Sequence, residues 1–413
     1  TNLSSITHMN TKNRTLLAAF LAGLFSLSAL AGEVPTRTLG RVFTKLKKGE
    51  ETSIAYFGGS ITAAAGYRVK TFNWFKQQFP NAKIIEINAA IGGTGSDLGV
   101  FRCGADVISK KPDLVFVEFN INDGSPTNEF RKATMEGIVR QLWASPSKPE
   151  IVFLYTTSRT LDNARGSHPA VAKFYGIPDI DLQPPLIAAL SRTDLPKPTE
   201  AQLKDPKFDW KAKGQIFMGD SVHPNDLGHT IYADTIVDYL KTQIDAKAEK
   251  EPKLGKPYVS DEFGKAAMLP PSLAKLTGDW EILAPTNSPG LIARYKDGTI
   301  NARNPGDSLE FTFEGTSVAL FLNVQTNGGK FSWTIDDGVS LPGDRSYGGP
   351  KGAKKGTVDT APGPYFARNN YAMLSCGLPS GKHTLKITVL PEKDKTSSGN
   401  RLLIGQFMVA GMP

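Results

Sequence analysis

Ser60, Asp220 and His223 are the residues of this 413-residue chain whose types and spacing can do chemistry. Ser60 stands in "IAYFGGSITAAAG" (54–66), where an apolar run ends in two glycines and a serine opens what reads as a helix. A serine hydroxyl is inert at its ordinary pKa and becomes a nucleophile only beside a general base. "GDSVHPNDLGH" (219–229) offers that base: Asp220 and His223 lie three apart on a loop before Pro224 and a helix start. The carboxylate can then orient the imidazole and support its cation during attack. By itself an Asp-x-x-His is more often a capping aspartate near a surface histidine. Set against a serine on the opposite rim of the same sheet, it points to acyl transfer. Such a reaction needs donors for an oxyanion, which the N–H groups of Ser60 and Gly93 and the side-chain amide of Asn122 would supply. A phosphate site competes for the glycine turn, but the stretch has neither G-x-G-x-x-G spacing nor a Gly-Lys-Ser/Thr.

The elements that must position these groups follow from the hydrophobic pattern. Ser53–Gly59, Lys83–Ala90, Leu114–Asn120 and Ile151–Thr156 are nearly continuous apolar runs, as expected of strands covered by helices on both faces. Ile177–Leu182 reads as a fifth strand. Helical patterns run over Tyr67–Gln78, Ser96–Lys110, Asn128–Trp143 and Asn225–Lys247. The alternation predicts an α/β three-layer domain with a doubly wound parallel sheet. Ligands of such sheets bind beyond the carboxyl ends of the strands, where Ser60, Gly92-Gly93 and the turn Asn120–Asp123 emerge.

"FGGSIT", "NAAIGGTGS", "FNIND" and "DSVHPN" together resemble the four blocks of the SGNH hydrolases, or GDSL esterases, in order and separation. The resemblance implies a flavodoxin-like α/β/α sandwich, Ser60 as nucleophile, Gly93 and Asn122 as oxyanion donors, and His223 as base oriented by Asp220, with no metal or organic cofactor. Two departures stand out: Gly59 replaces the aspartate of many Gly-Asp-Ser blocks, and Asn120 replaces the glycine of the third block. Asn120, Asp97, Arg102 and Asp123 are candidate substrate contacts near the turns. Glu118, inside an apolar strand, needs a polar partner there. His168, His229 and His383 lack any block context and read as structural.

The rest of the chain frames this site. From Met9 a basic head, an apolar run over 16–30 and Ala29-Leu30-Ala31 read as a secretory signal peptide (9–31), so export to a periplasm or the medium is expected. The apolar stretch is short for a membrane anchor, so no stable membrane insertion is expected. The net charge of +8 gathers mainly in Lys241–Lys256 and Lys351–Lys355, which read as solvated runs rather than a nucleic-acid site. Cys103 and Cys376, far apart, read as two buried free thiols. Beyond the catalytic domain (36–248) a charged, proline-containing linker is expected over 249–275, then an all-β jelly-roll sandwich over 276–413 with alternating strands such as "GKFSWTIDDG" and "HTLKITVL". That half is similar to galactose-binding-like modules of carbohydrate esterases, and its segment 341–370 is a candidate to reach a glycan. The combined reading is an exported serine esterase that removes an acyl group, foremost acetyl, from a carbohydrate. A lipase or lysophospholipase, a carbohydrate O-acetyltransferase and a non-catalytic glycan-binding protein are the alternatives.

Overall fold

Five parallel strands form the sheet from whose rim Ser60 emerges: β1 (Thr52–Gly58), β2 (Ile84–Asn88), β3 (Leu114–Glu118), β4 (Glu150–Tyr155) and β5 (Asp179–Asp181), in the spatial order β2-β1-β3-β4-β5. This is the flavodoxin-like order. The computed structural model describes residues 34–124, 129–161, 165–192, 216–288, 297–341, 351–361 and 369–413, with a few isolated positions between them. The signal-peptide reading (9–31) and most of segment 341–370 therefore lie outside the described residues. Among the described residues no helix is long and apolar enough to cross a membrane.

Alternate residues of each strand enter different cores, which is why the apolar runs are continuous. Ile54, Tyr56, Leu114, Phe116, Val152 and Leu154 pack on one face with the helix Asp226–Gln243, while Ala55, Phe57, Val115, Val117, Ile151 and Phe153 pack on the other with helices Ser96–Asp106 and Glu129–Ala144. The helix Tyr67–Gln78 has the expected bounds. Short helices Gly40–Lys47, His168–Tyr175 and Gln183–Ala189 were not legible as periodic segments.

The second half is a sandwich of two antiparallel sheets. One holds, in order, β13 (Lys355–Asp359), β12 (Lys330–Ile335), β15 (Lys382–Val389), β10 (Ser308–Glu314) and β7 (Lys275–Thr277). The other holds β14 (Asn369–Ser375), β11 (Ser317–Asn323), β16 (Leu402–Ala410), β9 (Thr299–Ala302) and β8 (Trp280–Leu283), with β6 (Ala266–Leu269) also paired to β16. Between the sheets lie Phe311, Leu320, Phe331, Ile387 and Phe407, with the Phe311 and Phe407 rings stacked 3.9 Å apart.

The expected linker is corrected by the structure. Phe263 is fully buried, edge-on to Phe101 and Phe130, and the N–H groups of Val259 and Ser260 donate to Glu136 at 2.7 and 3.0 Å. The β6 strand then joins the sandwich. Moreover, Ala319 and Phe321 of β11 and Leu403, Met408 and Ala410 of β16 belong to the same core as the helices Ser96–Asp106 and Glu129–Ala144. The second sheet is thus covered on both faces, by its partner sheet and by the α/β layers. Composition hid this because lysines and prolines dominate the segment, and one phenylalanine plus a four-residue strand leave no periodic signal.

Cys103 and Cys376 are free and buried, and burial pushes each thiol up to about 12. At neutral pH both are inert thiols rather than thiolates.

Candidate active site

Strand pairing alone brings three turns together. Because β1 lies between β2 and β3, with Tyr56 opposite Asn88 and Gly58 opposite Glu118, the residues that follow each strand emerge side by side. Backbone bonds extend the registry past the strands: Ile91 N–H donates to Gly58 O at 3.0 Å and Gly59 N–H to Glu118 O at 3.2 Å. Gly59, extended, caps the short helix Ser60–Ala63, so the Ser60 N–H lies in the first turn, outside the helix's own bonding. A Cβ on Gly59 would collide with Asn122 Oδ1, and one on Gly92 would lie 3.6 Å from Ser60 Cβ. Glycine is what allows the Ser60 turn to approach the Asn122 turn this closely, so Gly59 serves packing here. Gly93 sits at φ +72°, a left-handed conformation that glycine adopts without strain.

The loop between Phe217 and Asn225 carries the candidate base, His223. It is closed by bonds from Gly219 N–H to His223 O (2.8 Å) and from Asn225 N–H to Phe217 O (2.9 Å), and Asn225 caps the following helix by accepting from Gly228 N–H at 3.0 Å. His223 Nδ1 lies 2.7 Å from Asp220 Oδ2, and His223 Nε2 lies 2.7 Å from Ser60 Oγ. The other oxygen of Asp220 accepts from the N–H groups of Val222 and His223 at 2.9 and 2.8 Å. Partial burial works against its charge, but these two N–H donors and the imidazole outweigh it and bring the carboxyl down to about 2. Asp220 is therefore ionised throughout any working pH range. With Nδ1–H donating to it, the ring presents a bare Nε2 to the serine. The side chains of His223 and Asp220 are half-exposed, so the line of groups opens directly on the surface.

Four expected substrate contacts are corrected to framework groups. Asn120 is fully buried, its amide donating to Thr156 O (2.6 Å) and its oxygen accepting from Thr156 N–H (3.0 Å), which ties the end of β3 to the end of β4. Arg102, also fully buried, donates to Gly58 O, Ala89 O and Asp106 and lies under the Phe57 ring, clamping the ends of β1 and β2. Asp97 accepts from Leu98 N–H at 2.9 Å and pairs with Arg131, and Asp123 accepts from Ser96 N–H (2.8 Å) and bonds His168 Nε2 (2.7 Å). Sequence places these residues beside the catalytic turns, but which way each side chain faces is decided by packing. His168, His229 and His383 bond Asp123, the Tyr67 N–H and Asp336, as structural roles require.

Glu118 lies beneath the site with the partners its buried position demanded. Its oxygens bond Thr62 Oγ1 (2.8 Å) and Thr156 Oγ1 (3.0 Å). Burial, against the pull of those two hydroxyls, pushes its carboxyl from an ordinary 4.5 up to about 7. Proton counting agrees. Thr156 Oγ1 is also 3.0 Å from Asn120 Oδ1, and Thr62 Oγ1 is 2.7 Å from Tyr67 Oη. If Tyr67 donates to Thr62, Thr62 to Glu118, and protonated Glu118 to Thr156, then Thr156 donates to Asn120 and every hydroxyl proton has one acceptor. A carboxyl whose folded pKa exceeds its unfolded value binds its proton more tightly when folded, so stability falls as pH rises from 4.5 to about 7 and levels above. Glu118→Gln should remove a penalty of about 3 kcal/mol at full development. Denaturant unfolding at pH 5 and pH 8 is then expected to show the variant gaining about 2 kcal/mol or slightly more on the native protein, since part of the penalty is already present at pH 5. Parallel pH dependence in the two proteins would refute the assignment.

Asn122 is half-buried beside Gly59. Asn122→Ala is expected to reduce kcat about a hundred- to a thousand-fold with little change in KM, as loss of one oxyanion donor does. Steady-state kinetics on a soluble ester checks this.

Comparison with known proteins places a family on the part of the chain that holds these turns. Residues 56–231 match the GDSL-like lipase/acylhydrolase family. These residues are a GDSL-like lipase/acylhydrolase domain. The match spans all four turns that converge on Ser60, and a protein carrying this domain is a carboxylic ester hydrolase. In overall fold it is similar to the crystal structure of a two-domain esterase (CEX) active on acetylated mannans, co-crystallised with mannopentaose: TM-score 0.71, 23% identity, 91% of this chain and 97% of that chain covered. A second crystal structure of a two-domain esterase (CEX) active on acetylated mannans gives a TM-score of 0.71 and 23% identity over 92% and 98% of the two chains. An acetyl xylan esterase, AlAXEase, matches at a TM-score of 0.36 and 21% identity over 46% of this chain and 99% of that chain. No curated protein matches the chain. Among the described residues no three His, Cys, Asp or Glu side chains gather as a metal centre would require.

Proposed function

We propose that this acylhydrolase is an exported serine esterase that removes acetyl groups from a carbohydrate through an acyl-enzyme. The observation that carries the mechanism is the unbroken line Asp220–His223–Ser60 ending beside Asn122 and Gly92-Gly93. Ser60 Oγ attacks the ester carbonyl carbon as its proton passes to His223 Nε2. The carbonyl electrons move to the oxygen, where the Ser60 and Gly93 N–H groups and the Asn122 amide receive the negative charge. Collapse breaks the bond to the sugar oxygen, which leaves with the proton from Nε2. A water then attacks acetyl-Ser60 with His223 again taking and returning the proton, and acetate departs.

The half-exposed triad, which a polymer-bound ester can reach, supports a glycan substrate. So does the fold shared over nearly the whole chain with an esterase active on acetylated mannans. Export rests on the sequence pattern over 9–31, and N-terminal sequencing of the mature protein tests it. The substrate is tested by hydrolysis of p-nitrophenyl esters from acetate to octanoate and by acetate release from acetylated mannan and xylan. Fastest turnover of the acetyl ester together with release from a polysaccharide is expected. Preference for long chains would replace this reading with a lipase, and transfer of acetyl to added sugar without free acetate would replace it with an acetyltransferase.

A further inference from the structure

A side chain of the β-sandwich bonds the helix that follows the Gly92-Gly93 turn. Tyr371, on β14 opposite Phe321 of β11, donates its hydroxyl to Asp97 Oδ2 across the boundary between the two halves of the protein. Asp97 stands in the first turn of the helix Ser96–Asp106 and is 3% exposed. The same Oδ2 pairs with Arg131, whose guanidinium also lies 3.5 Å from Asp123 Oδ1. Asp123 closes the short helix Asn120–Asp123 that presents Asn122, and its Oδ1 accepts from Ser96 N–H. Arg131 is thus one cation shared by two buried carboxylates, one in each of the two segments that flank the serine. The cluster is packed hard against the backbone: a Cβ on Gly95 would collide with Asp123 Oδ1 and approach Asp97 Oδ1 and Arg131 Nη1 to 3.0 and 3.2 Å. Burial pushes the Asp97 carboxyl up against the pull of Arg131, so each donor it accepts helps to keep its charge.

We propose that Tyr371 is a positioning residue for the ester-hydrolysing site: its hydroxyl fixes Asp97, and Asp97 with Arg131 and Asp123 sets the turn that carries Asn122. This rests on the reading of Asn122 as an oxyanion donor. The β-sandwich is then a working part of the catalytic apparatus and not only an appendage. A second clasp between the halves serves as the control. Glu262 accepts from Gly377 N–H (2.7 Å) and from the hydroxyls of Ser317 and Thr316, with no bond to the Asp97 cluster.

Tyr371→Phe deletes one hydroxyl and keeps the ring. With p-nitrophenyl acetate its kcat is expected to fall about tenfold, the scale of one hydrogen bond to a charged group, with KM within about twofold. Glu262→Gln should lower the melting temperature yet leave kcat in place. In a cycle with Asp97→Asn, the double variant should be no slower than Asp97→Asn alone. Hydrogen exchange reads the same geometry without any substrate: amides of 95–98 and 120–123 should exchange faster in Tyr371→Phe and at the native rate in Glu262→Gln. Native exchange and native kcat in Tyr371→Phe would overturn the proposal, as would an equal loss of kcat in Glu262→Gln. A native protein inactive on every ester would sink the functional reading instead, and the exchange measurement would still decide the role of Tyr371.

Discussion

Ser60→Ala is expected to lower kcat about a million-fold, the loss seen when the nucleophile is removed from a serine triad. The Oγ atom is what His223 Nε2 meets at 2.7 Å, so a methyl group there leaves the base with no proton to accept and the carbonyl with no attacking atom. Binding and oxyanion donors would still accelerate attack by water about a thousand- to ten-thousand-fold over the uncatalysed reaction. The fold has no stake in the hydroxyl beyond that one partly exposed bond, so the melting temperature should stay within a degree or two. Stopped assays at high enzyme concentration, with mass spectrometry for an acetylated Ser60 in the native protein, provide the check. Activity within about a hundredfold of native would place the nucleophile elsewhere.

Asp220→Asn should cost about ten-thousand-fold in kcat while sparing the loop, because the two oxygens of Asp220 do different jobs. One accepts from the N–H groups of Val222 and His223, and the other accepts from His223 Nδ1. An asparagine that keeps its oxygen on the two backbone donors must turn its NH2 toward the ring. Nδ1 then becomes the acceptor, the ring proton moves to Nε2, and the face toward Ser60 can no longer take a proton. Asp220→Ala removes the loop anchor as well, so it should lose stability that Asp220→Asn retains. Comparing kcat and melting temperature for the pair separates orientation of the base from construction of the loop. Equal kcat in native and Asp220→Asn protein would show that the carboxylate does not set the tautomer.

How much of this was legible in the sequence depended on whether the signal was local. The helix Tyr67–Gln78 and strands β1, β3 and β4 follow from nearly unbroken apolar runs and period, because strands covered on both faces have few polar positions to interrupt them, while β2 is half-exposed and keeps Glu86 within its run. The three converging turns were legible for a related reason: each of the first three blocks sits directly after a strand, so sheet order alone brings Ser60, Gly93 and Asn122 together, whereas Asp220 and His223 follow no strand and were read from their spacing. The roles of Asn120, Asp97, Arg102 and Asp123 were not. A polar residue two or three positions from a catalytic turn can face the cleft or the core, and only the partner decides: Thr156 for Asn120, Ala89 and Gly58 carbonyls for Arg102, Arg131 for Asp97 and Asp123. Tyr371 lies 274 positions from Asp97, beyond any local pattern. One available signal was missed. "LLIGQFMVA" has no alternation, and an antiparallel strand with one wet face should alternate. Its unbroken run announces a strand covered from both sides, and β16 is buried at all nine positions.

That twice-covered sheet bears on how such a protein can be taken apart or inherited. A binding module joined by a tether can be cut off, traded between enzymes or duplicated, since each piece keeps its own interior. Here truncation before Phe263 would leave Phe101, Phe130 and their neighbours without the residues that shield them, and the severed sandwich would present Phe321, Leu403 and Met408 to water. Both fragments would be expected to aggregate rather than to divide the work. Lineages that carry this arrangement must pass on the two halves together, and substitutions along their shared surface must be matched in pairs.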